Sequence, residues 1–191
     1  MTKPRPRIYL AGPEVFLPSP VEAGRIKCTL AAEQGLEGVY PLDATLDLDG
    51  LAKHAQAALI SRSNEALMRT CDAVIANLTP FRGASADAGT AFEVGFMRAL
   101  GRPVLGYTNT PLDYVPRAKA VRSVQRLAFD ADAPDVAIED FDLSENLMIE
   151  IAIEASGSCL IRHAAPPGQE MADLTAFRQC LAQARRVLRL A

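Results

Sequence analysis

The stretch Thr70 to Gly106, TCDAVIANLTPFRGASADAGTAFEVGFMRALGRPVLG, constrains the fold more than any other part of this chain. It divides into a strand (Ala73 to Asn77), a Pro/Gly loop, a helix (about Asp87 to Leu100) and a second strand (Pro103 to Tyr107). Val74, Ile75, Val104 and Leu105 form short apolar runs closed by turn residues, the pattern of parallel strands buried on both faces. In such sheets ligands bind where a strand ends and the next helix begins, because the unpaired N–H groups of that helix face the crevice. The segment Ser85 to Glu93 falls at that edge and carries two carboxylates, Asp87 and Glu93. Glu93 is the odd residue, since Ala91, Phe92, Val94, Gly95, Phe96 and Met97 around it are apolar or small. With Asp87 as N-cap, a capping-box acid belongs at position 90, which is Thr, and Glu93 lies a turn deeper. A buried carboxylate is costly unless paired or used, which leaves Glu93 as a functional group or as half of a structural ion pair.

The rest of the chain repeats the alternation. Residues 1–6 are a Pro- and base-rich tail expected to be flexible, and Arg7 to Ala11 is a strand broken by Gly12-Pro13. A helix starts at Ser19-Pro20, with the serine as cap and the proline at the first helical position, and Gly35 ends it. Gly38 to Leu42 is a second strand, Asp43 to Leu51 an acidic turn region, and Ala52 to Met68 a long helix. Beyond Tyr107, the prolines and mixed charges of Thr108 to Asp142, including the acidic turn at 130–135, mark an irregular excursion. A helix from Ser144 to Ala155 follows, capped by Ser144, then a strand from Ser158 to His163. An amphipathic helix from Asp173 to Leu190 has Leu174, Phe177, Leu181, Ala184, Val187 and Leu188 on one face. The expected fold is α/β: a single domain over residues 1–191, built as a doubly wound, flavodoxin- or Rossmann-like parallel sheet of about five strands with helices on both faces.

Composition removes several function classes. A net charge of −3 with scattered basic residues is no nucleic-acid footprint. The first apolar run, Ile8 to Ala11, is too short for a signal peptide or a membrane span. Cys28, Cys71, Cys159 and Cys180 are widely spaced, as expected of small buried residues in a reducing cytoplasm. His54 and His163 lack partners at ligand spacing, so neither a metal site nor a cofactor is expected.

The central block resembles the signature of the nucleoside 2-deoxyribosyltransferase family, in which D-x-G-T-x-x-E-x-G carries a nucleophilic glutamate. IYLAGPEVF (Ile8 to Phe16) and ENLM (Glu145 to Met148) match the family's other two blocks in the same order. The resemblance implies Glu93 as nucleophile, Asp87 as a holder of the sugar hydroxyls, and Tyr9 with its hydroxyl beside the nucleophile. Val15 and Phe16 would line the base pocket, while Gly12 and Gly89 would let the backbone pass close to the ligand. Asn64 stands where some members carry an aspartate; it can hydrogen-bond a base but cannot act as a general acid near neutral pH. Asn146 and Met148 would reach into the site of a neighbouring subunit, making the protein a homodimer or higher homo-oligomer. The implied ligands are nucleosides and free nucleobases.

Two other functions compete. An N-glycoside hydrolase of nucleosides or their 5′-monophosphates would use water as acceptor; Glu14, in the first loop, is expected to repel a phosphate. A non-catalytic nucleotide sensor would keep the pocket and lose the nucleophile, which Glu93 and Tyr9 together oppose.

Overall fold

In the computed structural model, which describes residues 4–43, 46–125 and 137–190, five parallel strands form one sheet. They are β1 (Arg7–Ala11), β2 (Glu37–Val39), β3 (Ala73–Asn77), β4 (Val104–Thr108) and β5 (Ile161–Arg162), in the spatial order β2-β1-β3-β4-β5. The helices are α1 (Pro20–Glu33), α2 (Lys53–Arg69), α3 (Ala88–Ala99), α4 (Tyr114–Gln125), α5 (Leu147–Glu154) and α6 (Thr175–Val187).

Alternation along each strand sends side chains to two cores. Ile8 and Leu10 of β1, Ile75 of β3 and Leu105 and Tyr107 of β4 pack with Leu30 of α1 and Phe177, Cys180 and Leu181 of α6. On the opposite face Tyr9, Val74 and Val104 pack with Met68 of α2, Val94 and Met97 of α3 and Ile153 of α5. Every residue of β3 and β4 is buried, as sequence runs without a polar face require. Strand order reverses between β1 and β3: the chain leaves β1 for β2 on one side, then returns to pair β3 on the other. That reversal opens a crevice beyond the strands' C-terminal ends.

Several local expectations need correction: the second strand is Glu37–Val39 rather than Gly38 to Leu42, and Pro41–Asp43 forms a 3-10 turn. The excursion after β4 contains α4, concealed in sequence by Pro116; this proline lies in the first helical turn, where its missing N–H has no partner to lose. Ser144 does not cap the following helix; the Asn146 side chain does, accepting from Met148 N at 3.0 Å, so α5 begins three residues later than expected. Ser19 occupies the cap position of α1 without making a side-chain cap bond. Cys159 is exposed rather than buried, because β5 is only two residues long and begins after it. The acidic turn at 130–135 lies outside the described residues. No helix among the described residues is long and apolar enough to cross a membrane.

Candidate active site

Asp87 sets the geometry. Its carboxylate caps α3, accepting from Gly89 N at 2.9 Å and Thr90 N at 3.2 Å, a bond set worth about 1 kcal/mol that fixes where the helix begins. With α3 started at Ala88, Glu93 falls one and a half turns in, on the side facing β1. There the hydroxyl of fully buried Tyr9 donates to Glu93 Oε1 at 2.7 Å. Burial pushes the Glu93 carboxyl up to about 7; the Tyr9 hydrogen bond works against this, and the negative charges of Asp87 and Glu14 add to it. Burial and the same carboxylate hold the Tyr9 phenol far above its ordinary value, so Tyr9 stays a donor. Among the described residues Glu93 has no ion-pair partner. It is a desolvated carboxylate held by one phenol.

Glu93 opens into a crevice of about 320 Å³. Gly12, Val15 and Phe16 from the turn after β1 form one wall, and Ile60 and Asn64 from α2 another. Asp87, Gly89 and Thr90 at the start of α3 complete it, with Pro41 and Leu42 at the β2 end. Phe16 stacks on Phe81 with ring centroids 5.6 Å apart, and the Arg82 guanidinium lies 4.8 Å from the Phe16 centroid. Phe16 is still 52% exposed, which leaves part of this aromatic wall open to the crevice. Of the ten residues expected at the site from sequence, Glu93, Asp87, Gly12, Val15, Phe16, Asn64 and Gly89 line the crevice and Tyr9 lies beneath it.

Asn146 and Met148 do not line the crevice of their own chain. Asn146 is engaged in the cap of α5 and donates from Nδ2 to Glu139 at 3.0 Å, while Met148 is 73% exposed. The two glycines lie tight against this chain's own carboxylates. A Cβ on Gly89 would lie 2.9 Å from Asp87 Oδ2, and one on Gly12 would lie 2.0 Å from Glu14 Oε2.

Glu14 overturns the argument made from its charge. It does not face the crevice. Only 2% exposed, it turns to the opposite face of the sheet, where its Oε1 accepts from Lys27, from Asn77 Nδ2 at 2.7 Å and from the Tyr107 hydroxyl at 3.2 Å. Lys27 also donates to Tyr107 at 2.8 Å, so the carboxylate is matched by a buried cation. A phosphate in the crevice would therefore meet the charge of position 14 only through its pairing with Lys27, not as a bare carboxylate. Sequence reading had no means of seeing this, because Lys27 is brought in by α1 and Tyr107 by β4.

Comparison with known proteins agrees with this geometry. Residues 8–148 match the family model described as nucleoside 2-deoxyribosyltransferase. A 2-deoxyribosyltransferase from Leishmania mexicana superposes with a TM-score of 0.55 at 32% identity, covering 75% of this chain and 85% of that one. A conserved protein from Enterococcus faecalis V583 shares the fold, with a TM-score of 0.53 at 19% identity over 94% of this chain and 99% of its own. An uncharacterized protein of Schizosaccharomyces pombe is 35% identical over 119 residues; the match covers 61% of this chain and 56% of the yeast protein. The signature blocks, the sheet order and the family match agree: this chain belongs to the nucleoside 2-deoxyribosyltransferase family.

Proposed function

We propose that the protein exchanges the base of a 2′-deoxynucleoside through a covalent deoxyribosyl ester on Glu93. The observation that carries this reading is the desolvated Glu93 carboxylate, held by Tyr9 at 2.7 Å and opening into the crevice. As the N-glycosidic bond lengthens, C1′ gains oxocarbenium character, and a carboxylate on the face opposite the base captures it. The C1′–N bond breaks with its electron pair going to the base nitrogen, while a Glu93 oxygen bonds to C1′. A nitrogen of a second base then attacks C1′ from the face the first base left. It loses its proton to solvent, the ester bond breaks, and Glu93 is released with the sugar configuration retained.

Asp87 holds the sugar hydroxyls, Tyr9 orients the nucleophile, and Val15 and Phe16 face the base. Asn64 orients the base by hydrogen bonding, and the proton for the leaving nitrogen comes from solvent. The apolar walls strengthen every one of these polar contacts by keeping water out. The ligands on this reading are small nucleosides and free nucleobases, handled in the cytoplasm as part of nucleoside salvage. No cofactor is invoked.

The deciding experiment incubates a deoxynucleoside with and without a second base and separates the products by chromatography. New nucleoside formed only when acceptor base is present supports transfer. Free base and free sugar formed at the same rate with and without acceptor would replace transfer by hydrolysis, a reading that Glu14's position no longer opposes. No reaction in either arm would leave a binding module.

The same reading makes the protein a homo-oligomer built from two-fold dimers, with Asn146 and Met148 of each chain closing the partner's pocket. The exposure of Met148 and its absence from the crevice of its own chain support this arrangement. Mixing inactive Glu93→Ala with an inactive Asn146→Ala variant, after dissociation and verified re-association, tests it. With random pairing about a quarter of wild-type sites return if pockets are shared. No recovery means that Asn146 serves its own chain.

A further inference from the structure

Arg117 and Glu145, neither of which touches the crevice, form a buried junction behind its sugar-facing end. Arg117, on α4, is 7% exposed and Glu145 is 1% exposed, with Arg117 Nη2 3.5 Å from Glu145 Oε2. The guanidinium spends its other donors on three loop carbonyls: Ala84 O at 2.9 Å, Leu112 O at 2.6 Å and Ser144 O. Those carbonyls belong to the loop between β3 and α3, the loop after β4 and the segment entering α5. Glu145 closes the set. Its Oε2 accepts from Ala86 N at 3.0 Å, and its Oε1 accepts from Asn146 N at 3.0 Å.

Ala86 is the residue immediately before Asp87. Two hydrogen bonds, from Arg117 Nε to Ala84 O and from Ala86 N to Glu145 Oε2, therefore hold the approach to the residue that caps α3. A buried ion pair adds little net stability compared with well-packed apolar side chains of the same volume. What it supplies is direction: a planar guanidinium and a two-oxygen acceptor fix five backbone groups in one arrangement. Without it, the 84–87 segment would be an irregular loop with several backbone groups in search of partners.

We infer that Glu145, braced by Arg117, is a positioning residue that aims Asp87 at the sugar hydroxyls and so sets the enzyme's discrimination for the intact sugar. This inference rests on the assignment of Asp87 to sugar binding. It also gives the ENLM block a role within its own chain, through Glu145, separate from whatever Asn146 and Met148 do across a subunit boundary.

The test compares wild type, Glu145→Gln and Asp87→Asn on a complete 2′-deoxynucleoside and on its 3′-deoxy and 5′-deoxy analogues. Wild type is expected to favour the complete sugar over at least one analogue. Glu145→Gln should shrink that kcat/KM ratio about tenfold toward the Asp87→Asn value, through KM for the complete substrate, while leaving the analogue's kcat/KM close to wild type. An equal loss on all substrates would mean that Glu145 only supports the fold, and would overturn the inference. If Glu145→Gln folds poorly, Arg117→Lys serves instead; it keeps the charge and loses the fork of donors, and the same contraction is expected.

Hydrogen exchange gives a readout independent of turnover. Backbone amides of residues 86–90 should exchange faster in Glu145→Gln than in wild type, with those of α6 unchanged; identical exchange at 86–90 overturns the inference. A wild type with no activity on any nucleoside refutes the proposed function instead, and the exchange measurement still decides whether the junction holds the loop.

Discussion

Replacing Tyr9 by Phe removes one hydrogen bond from the centre of the site and leaves the buried ring in place. The hydroxyl donates to Glu93 Oε1 at 2.7 Å, and it opposes the burial that raises the Glu93 carboxyl to about 7. A hydrogen bond to an ionised group is worth about 1.5–3 kcal/mol, and 1.36 kcal/mol corresponds to about one pKa unit, so its loss should raise the carboxyl by about one to two units. In the proposed mechanism only the ionised form attacks C1′. At pH 7 the ionised fraction should fall from about a half to between about 1 and 10 per cent, a rate loss of roughly 5- to 50-fold. The assay is the pH dependence of base release in the first turnover. The acid limb should move from about 7 to about 8–9 in Tyr9→Phe, with the rate recovering at high pH. A loss of the same size at every pH, with the limb unmoved, would refute the reasoning and place the hydroxyl's effect on the sugar instead.

Other outcomes follow from the same geometry. Glu93→Gln should retain nucleoside binding, lose turnover by about three orders of magnitude or more, and fail to form a sugar ester detectable by mass spectrometry with a 2′-fluoro substrate. It should also stabilise the fold in one pH range: the folded Glu93 value lies above its ordinary 4.5, so the cost of ionising it is absent below that pH, grows up to about 7 and is complete above. Urea unfolding should accordingly show a gain of roughly 3 kcal/mol at pH 8 and little at pH 4; equal gains at both pH values would count against a buried, ionising Glu93. Gly12→Ala would set a Cβ 2.0 Å from Glu14 Oε2, forcing the carboxylate away from Lys27 and Asn77. A destabilisation of roughly 3 kcal/mol with a raised KM is expected, and near wild-type stability would show that the carboxylate has another place to go. Asn64→Asp should add a proton donor at the base-facing wall, raising base release on the acid side by about tenfold or more and altering the ranking of bases; an unchanged ranking and pH profile would remove position 64 from leaving-group assistance.

The parts of this molecule legible in its sequence are those fixed by local chemistry. β3 and α3 could be placed because an unbroken apolar run ends in Pro/Gly turns and Asp87 announces the helix start. Glu93 stood out because its apolar neighbours left the carboxylate no ordinary reason to be there. The role proposed for it came from the family resemblance, and its pairing with Tyr9 links residues 84 positions apart. What was hidden depended on neighbours distant in sequence. Glu14 was expected to repel a phosphate from the first loop, but α1 and β4 bring Lys27 and Tyr107 against it. α4 was obscured because proline is a breaker in a helix interior but tolerated in a first turn. The Arg117–Glu145 junction joins three loops, and no spacing rule connects those residues.

The two outermost strands are the shortest: β2 has three residues and β5 has two. A sheet margin normally exposes a row of free N–H and C=O groups on which another chain can lay down a further strand. Among the described residues each margin offers only a short run of that pattern, a poor template for an added strand. Copies of this protein therefore have scant means of joining sheet to sheet, either in assembly or in the runaway stacking that leads to fibres. Association must use side-chain surfaces instead, and the large apolar side chains left in the open on neighbouring helices, Phe92 of α3 and Met148 and Ile151 of α5, are where it would begin.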